Sequence, residues 1–474
     1  MPDSATPNPA ISVSEVYAGW AAGAPRSFAP EAMHRAKRAF IDVVACMVPG
    51  AVDEAAVTLR AVSSKWGAGP CTVVGETAGQ SAPLAALANG MAAHALDFDD
   101  NFDPAKAHIT AVLGPALLAL GEERKATGSD ILAAYIVGLQ IATRVGQGLN
   151  PYHRNRGWHA TSTVGAIGAA VACGHLIKLD AAKMRHCLNM ATSYAGGFMS
   201  QFGSMTKPLH AGKAAEAGVV CATLAEAGLS AGSETLDGPN GMARLMVGPD
   251  LEELRNSSFK REHGQTMRFA TDSIGEPLAI LAHGLKVKRY ATCGSTHRAL
   301  DATLNLIAQH NIGPKDVARI DVYAPVSHFN NLMYTNPQDG MQAKFSMEFC
   351  LAVALLNRGV GLADFTPEAV NNANFRNLMP LVHRHPVDKL ESEFPTRVEI
   401  TLNSGVRCTA EVDAPKGRAD NPMTDAELWD KLQQCCRGVL DDESTSRISD
   451  ALNKLDGPQT INALMAALRF NQKR

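Results

Sequence analysis

From about residue 11 to residue 265 the chain reads as one helix after another, built largely from Ala, Gly and Leu. Pro30 to Pro49 shows the pattern most clearly. Pro30 and Glu31 suit a first helical turn, and Met33, Ala36, Phe40, Val44 and Met47 recur at helical spacing before Pro49-Gly50 ends the run. Segments near 83–97, 108–124, 129–147, 162–178, 180–194 and 209–227 carry so many alanines that neighbouring axes can approach closely, which predicts a buried bundle. In this half, Cys71 to Gly75 reads as a strand, and Trp66 to Pro70 before it reads as a loop because two glycines and a proline break any helical pattern.

After about residue 266 the pattern changes. Gly284 to Tyr290 reads as extended, and Ser295 or Thr296 is placed to cap a helix running to about His310. Ala318 to Tyr323 and Arg397 to Leu402 alternate like strands, and Asn403-Ser404-Gly405 turns the second of them into a partner at Val406 to Val412. A helix near 344–357 lies between these strands, and helical pattern returns from Thr424 to Arg469. The fold class predicted is mainly α with an α+β part. A large all-helical domain, 1–266 completed by 413–474, receives both chain ends, and a smaller α+β lid domain is inserted at 267–412.

Composition narrows the function classes. A chain of 474 residues exceeds one ordinary compact domain, and its formal charge of −3 argues against a broad nucleic-acid surface. No apolar run reaches the length of a membrane span, and the first residues show neither a basic nor an apolar signal-peptide region, so a cytoplasmic protein is expected. The ten cysteines are dispersed without a C-x-x-C pair, which points to reduced thiols. Cys435 and Cys436 belong to a helix and not to a metal pair.

Four segments offer chemistry. His94 and Asp97, three residues apart, are expected on one helix face, followed by Asp99, Asp100 and His108. Three acids at a helix C-terminus oppose its dipole and so call for another reason. A solvated acidic loop explains the same residues about as well, and no framework of metal-ligand spacing is present. In the second segment His159 precedes an apolar helix that Thr161 or Ser162 can cap, a placement that keeps an imidazole neutral and able to accept a proton. The third is Lys207-Pro208-Leu209-His210. Proline disfavours the α conformation in Lys207, so the lysine is expected extended at the mouth of a helix that Pro208 opens, where ammonium and free amides would hold a carboxylate. Gly196, Gly197 and Gly203 before it permit close backbone approach, while His210 and Lys213 face either pocket or solvent. The fourth runs from Lys288 through Cys293 and Gly294 to Ser295 and Thr296, where hydroxyls and amides of a first turn can hold a second carboxylate. As plain caps Ser295 and Thr296 need no ligand, and no His/Asn pairing supports Cys293 as a nucleophile.

In this order, the motifs H-A-x-D-F-D-D (His94 to Asp100), T-K-P-L-H-x-G-x-A-A (Thr206 to Ala215) and C-x-S-T-H-R-A-x-D-A (Cys293 to Ala302) resemble the MmgE/PrpD family over residues from about 11 to 465. That family includes 2-methylcitrate dehydratases, cis-aconitate decarboxylases and iminodisuccinate epimerases. The resemblance implies a helical domain with a smaller α+β lid, usually in a homodimer, and exposed alanine-rich helix faces would fit such a dimer. It also implies Asp97, His108, His159 and Lys207 as catalytic residues, with Asn101, His210, Cys293, Ser295, Thr296 and Lys344 around the substrate. Asn101 replaces a threonine of the decarboxylases, Asp103 stands where that branch tends to have histidine, and Cys293 takes the place of another histidine. An A-E-W-G-H-P-S-D type insertion of some methylcitrate dehydratases is absent. The implied activity is a lyase, in the first place a hydro-lyase, for a small di- or tricarboxylate by proton transfer next to a carboxylate, with no metal or organic cofactor. An epimerase is the alternative, and a non-catalytic carboxylate-binding protein the third reading.

Overall fold

The computed structural model describes residues 12–257 and 264–470. They form two compact units. The first comprises residues up to Ala95, Asp99–Leu285 and Leu432 onward, and the second comprises Lys286–Lys431 together with the three residues Leu96–Phe98.

The first unit is helical. Its longer helices before residue 286 are α1 (Val13–Gly23), α2 (Pro30–Gly50), α3 (Glu54–Ser63), α4 (Ala82–His94), α5 (Thr110–Arg124), α6 (Gly128–Leu149), α7 (Ala160–Leu176), α8 (Ala181–Ala191) and α9 (Thr206–Glu226). Every residue of α7 is buried, so it is the central helix, a position its unbroken run of small and apolar side chains permits. Glycine decides how near its neighbours come. A Cβ on Gly212 of α9 would lie 2.3 Å from the Leu87 carbonyl oxygen of α4, and one on Gly218 would lie 2.5 Å from Ala169 Cβ of α7. Backbone therefore meets backbone where α4 and α9 cross. The alanine faces of α4, α7 and α9 are buried inside this unit, in line with the buried bundle expected from their small residues.

Several local expectations change. The strand β1 covers Ala68–Cys71, in what read as a loop, and stops where Cys71–Gly75 was expected to be extended. Beyond it, side chains take the backbone donors: Thr72 N–H bonds Glu122 Oε2 at 2.6 Å and Val74 N–H bonds Asn89 Oδ1 at 2.9 Å, leaving no ladder to form. Helix α4 ends at His94, and Asp97 has a left-handed backbone (φ 52°), so His94 and Asp97 do not share a helix face. Helix α9 begins at Thr206 with Lys207 already in its first turn, its N–H bonded to Ser204 O at 3.0 Å, so Lys207 is not extended. Pro208 fits as the third helical residue because first-turn residues need no N–H.

The second unit carries a four-stranded sheet in the order β3 (Val382–Val387), β2 (Val317–Pro325), β4 (Thr396–Leu402), β5 (Arg407–Val412). β2 pairs parallel with β3 and antiparallel with β4, and β4 with β5 forms the expected hairpin, closed by Gly405 at φ 85°. Helix α10 (His297–His310) packs on β4 and β5, and α11 (Met347–Asn357) packs on α10. β3 gave no sequence signal because Val-His-Arg-His-Pro-Val lacks alternation and holds Pro386. Its edge position makes the proline tolerable. Gly284–Tyr290 forms no strand; within it Val287 N–H bonds Gly417 O at 2.9 Å. Helical pattern after 424 appears as α12 (Asp425–Cys436), α13 (Asp442–Asn453) and the short turn Asn462–Ala467.

The glycine contacts give a paired test. Gly212→Ala gains helix propensity of about 1 kcal/mol, but its methyl overlaps a backbone carbonyl that cannot rotate away, and overpacking costs about 1–3 kcal/mol or more. A Cβ on Gly19 of α1 meets nothing within 4 Å. Urea melts should show a lower midpoint for Gly212→Ala and an equal or higher one for Gly19→Ala. Equal midpoints for both variants would mean α4 and α9 are not in backbone contact.

Candidate active site

Three helix ends supply the polar groups of the first unit. α4 delivers His94 at its last residue, α7 delivers His159 as its N-cap, and α9 delivers Lys207 and His210 in its first two turns. Neither Thr161 nor Ser162 caps α7. Thr161 Oγ1 instead accepts the N–H of His108 at 3.0 Å, which ties the loop after Asp99 to the start of α7. That loop closes on itself through Phe102 and Ala107, with Asn101 at its entry and Lys106 left-handed. Thr110 Oγ1 donates to Asp100 Oδ2 at 2.5 Å and meets Tyr135 OH at 2.7 Å, so Asp100 is an internal structural acid.

Asp99 is fully buried between two imidazoles. His94 Nδ1 lies 3.0 Å from both of its oxygens, and His108 Nδ1 lies 3.1 Å from Oδ2. Burial pushes its acidity toward the neutral form, yet His94 and His108 hold its carboxyl well below the usual range. His94 is pushed down to about 4, by burial first, with Asp99 pulling upward and the Lys207 ammonium pushing further down. His94 Nε2 is buried and has no hydrogen-bond partner.

His159 is held by its N–H to Gly197 O at 3.0 Å, and its Nδ1 lies 3.0 Å from His210 Nδ1. Gly197 (φ 115°) must be glycine, since a Cβ there would press Ser162 and the His210 ring. Burial first, then His94, Lys207 and His210, keep the His159 pKa well below its ordinary value. The neutral state matches the sequence expectation, but desolvation rather than the helix end is its main cause. Phe202 stands edge-on to His159 at 4.9 Å and lies 5.4 Å under the Lys207 ammonium. Lys207 is 6% exposed, and its charge bears on His94, His159 and His210 alike. One ammonium therefore sits among imidazoles that are held neutral.

In the second unit a different cluster forms. Three consecutive carbonyls each receive a lysine ammonium: Leu96 O from Lys344 at 2.8 Å, Asp97 O from Lys288 at 2.5 Å and Phe98 O from Lys431 at 2.9 Å. Lys288 also pairs with the Asp97 carboxylate at 3.2 Å, and Lys431 lies 3.8 Å over the Phe98 ring. Cys293 donates its N–H to Lys344 O at 3.0 Å. Burial, and then Asp97, push its thiol upward, so it is not an activated nucleophile. Ser295 Oγ accepts from Asn331 at 3.1 Å, and Thr296 Oγ1 donates to Cys293 O at 2.8 Å. These residues open α10 through one turn of 3-10 helix, with no side-chain cap.

Of the residues singled out from sequence, His108, His159, Lys207 and His210 belong to the first cluster, while Asp97, Cys293, Ser295, Thr296 and Lys344 belong to the second unit. Sequence reasoning took Asp99 as one acid among three, did not single out Phe202 or Lys431, and took Lys288 only as the start of its fourth segment. His94, Asp99 and His108 bring ligand-type atoms within 4.8 Å of one another, a donor set that suits a divalent transition ion. His94 Nδ1 is, however, already hydrogen-bonded to Asp99.

The chain thus combines, in one polypeptide, a helical unit that presents buried imidazoles and one ammonium with an α+β unit. The model of the MmgE/PrpD N-terminal domain matches residues 16–254 and that of the MmgE/PrpD C-terminal domain matches residues 290–456. The chain belongs to the MmgE/PrpD family of enzymes. It is 28% identical to a cis-aconitate decarboxylase of Homo sapiens over 404 residues, covering 81% of this chain and 79% of that one. It is 26% identical to a cis-aconitate decarboxylase of Mus musculus over 406 residues (81% and 78%), and 26% identical to one of Aspergillus terreus over 492 residues (98% and 97%). No helix among the described residues is long and apolar enough to cross a membrane.

Buried neutral histidines link stability to pH. His94 and His175 are lowered to about 4 and His153 to about 3, against about 6.5 in an unfolded chain. Between those values the unfolded state binds protons that the native state refuses. Their stabilisation is therefore complete above about pH 6.5 and lost as pH falls toward about 4. The urea midpoint should drop steadily over that window, and less steeply in His153→Gln. A midpoint that stays flat across it would show that these imidazoles are not buried neutral.

Proposed function

We propose that this chain is a lyase for a small di- or tricarboxylate, acting by proton transfer next to a carboxylate, with loss of water as its net reaction. The observation that carries this reading is Lys207, a buried ammonium in the first turn of α9, among the neutral imidazoles His94, His159 and His210. Removing a proton beside a carboxylate places extra negative charge on the carboxylate oxygens. A preorganised ammonium and first-turn amides in a desolvated site stabilise that charge by about 3–4 kcal/mol per donor. A neutral imidazole takes the proton, and His159 is assigned that role because burial keeps it free of one. His108 is the partner that returns a proton, and His210 orients His159 through the bond between their Nδ1 atoms. Asp97 keeps the catalytic assignment that the family resemblance implies, and Asn101, Cys293, Ser295, Thr296 and Lys344 are assigned to substrate recognition. The scheme needs no metal or organic cofactor, and a homodimer in the cytoplasm is the assembly and compartment proposed for it.

Loss of CO2 is the second reading, favoured by relatives named cis-aconitate decarboxylase that match nearly the whole chain. Asn101, Asp103 and Cys293 stand against it, since the resemblance puts threonine and two histidines there. Both reactions use the same ammonium and imidazoles and differ in the leaving group.

Incubation in D2O with methylcitrate, cis-aconitate, citramalate and iminodisuccinate, followed by NMR, separates the outcomes. Water loss with an alkene product supports the hydro-lyase, CO2 release supports the second reading, and deuterium exchange without net loss assigns an isomerase instead. On the substrate that turns over, Lys207→Ala should lower kcat/KM by about 10²–10³-fold. His159→Ala should lower kcat by about 10²–10⁴-fold. Unchanged turnover in either variant removes that residue from the mechanism.

A further inference from the structure

We propose that His159 and His210 act as one base: the two rings hold opposite tautomers with a single proton between their Nδ1 atoms, and His210 receives that proton when His159 takes another at Nε2. The transfer step rests on the lyase reading, with His159 as its base, while the paired tautomers rest on geometry alone.

A neutral imidazole carries one N–H and one lone pair. The two Nδ1 atoms face each other at 3.0 Å, and among the described residues neither ring makes another hydrogen bond. Two N–H groups at that junction would collide, and two lone pairs would repel. His159 is 4% exposed and His210 9%, so little water is at hand to relieve either mismatch. Both rings are also held neutral. Burial first, then His94, Lys207, His210 and His108, lower His159, and burial followed by Lys207 lowers His210. One ring is therefore protonated at Nδ1 and its partner at Nε2. A base acting through His159 Nε2 needs its lone pair there, which places the shared proton on His159 Nδ1 and leaves His210 as the Nε2–H tautomer.

Backbone fixes both rings. His159 is the N-cap of α7 with its N–H on Gly197 O at 3.0 Å, and His210 opens the second turn of α9. A Cβ on Gly197 would come within 3.3 Å of the His210 ring and 3.0 Å of Ser162 Cβ, so glycine is what lets the rings meet. Sequence alone left His210 and Lys213 facing pocket or solvent. The structure separates them: Lys213 is exposed and pairs with Glu216, while His210 turns inward to His159.

The proton balance is simple. A C–H proton leaves the substrate for His159 Nε2, and its electron pair stays on the substrate, stabilised by the adjacent carboxylate. The His159 Nδ1–H bond breaks and that proton bonds His210 Nδ1. His159 ends neutral as the Nε2–H tautomer, and the positive charge rests on His210. The surroundings favour this direction. His159 is the deeper ring, stacks on His94 at 6.0 Å between centroids, and feels His94, His108 and Lys207, whereas Lys207 is the charge that bears on His210. Charge moves off the ring that tolerates it least. His210 is thus a positioning residue that acts through His159.

The test uses the full chain labelled with 15N-histidine, its rings assigned through their backbone amides. NMR should show His159 as the Nδ1–H tautomer, His210 as the Nε2–H tautomer and a scalar coupling between their Nδ1 nitrogens. Both rings in one tautomer, or the reverse assignment, overturns the proposal. On acidification the first of the two to become an imidazolium should be His210; His159 charging first overturns the transfer step. These readings come from the unmodified protein, so poor folding of a variant does not shield the proposal. With the substrate identified in D2O, His210→Asn separates transfer from orientation, because its amide oxygen accepts the His159 Nδ1–H but cannot take the proton. His159 should stay the Nδ1–H tautomer, with kcat lower by about 10²-fold and KM within about threefold. Unchanged kcat in His210→Asn overturns the transfer step. If no carboxylate reacts while the unmodified chain gives the expected tautomers and His210 charges first, the lyase reading fails and the paired base stands.

Discussion

The close crossing of α4, α7 and α9 is the constraint from which the site follows. Glycines 212 and 218 remove the side chains that would hold these helices apart, and alanines fill the remaining space. Helices that close bring their ends together as well as their sides, and here the ends carry His94, His159, Lys207 and His210. A leucine-lined bundle would set the axes farther apart and would separate these groups by the width of its side chains. Packing thus acts on function directly, through the distance it allows between polar ends.

Burying so many polar groups would be destabilising if they were not matched. Asp99 alone, taken out of water, would cost several kcal/mol, and the hydrogen bond to the His94 ring, with the His108 ring beside it, offsets that cost. Phe202 offers Lys207 the face of its ring, and Thr161 holds the loop that carries His108. In the second unit the same principle is applied to backbone. The segment 96–98 has no helix or strand to satisfy its carbonyls, and Asp97 adopts a left-handed conformation that most residues avoid. Lys344, Lys288 and Lys431 each donate to one of these carbonyls, which explains why three residues belong to the second unit although their neighbours on both sides belong to the first.

In the reaction proposed above, histidine and lysine have different duties. Desolvation keeps the imidazoles neutral, and a neutral imidazole exchanges protons with a carbon acid, where an imidazolium would only attract the anion. Charge attraction is left to Lys207.

The helical half was legible because periodicity in Ala, Gly and Leu reports burial directly, and the 397–412 hairpin was legible because alternation and Asn-Ser-Gly report a turn. β3 was not, since an edge strand containing Pro386 lacks the alternation that marks a two-faced element. His159 and Lys207 stood out because each begins a helix, but the start of α9 moved two residues earlier than Pro208 implied, because a first turn does not need the proline's missing donor. Asp97, Asp99 and Asp100 could not be told apart in the sequence, being three acids within four residues. In the structure one pairs with a lysine, one lies between two histidines and one bonds a threonine. The sequence by itself determined the helices, their small-residue faces and the family motifs, because those depend on near neighbours along the chain. Only the tertiary structure decided which acid meets which base, because the turn that brings Asp99 back to His94, five residues earlier, and the pairing of Asp97 with Lys288, 191 residues later, both depend on how the chain packs.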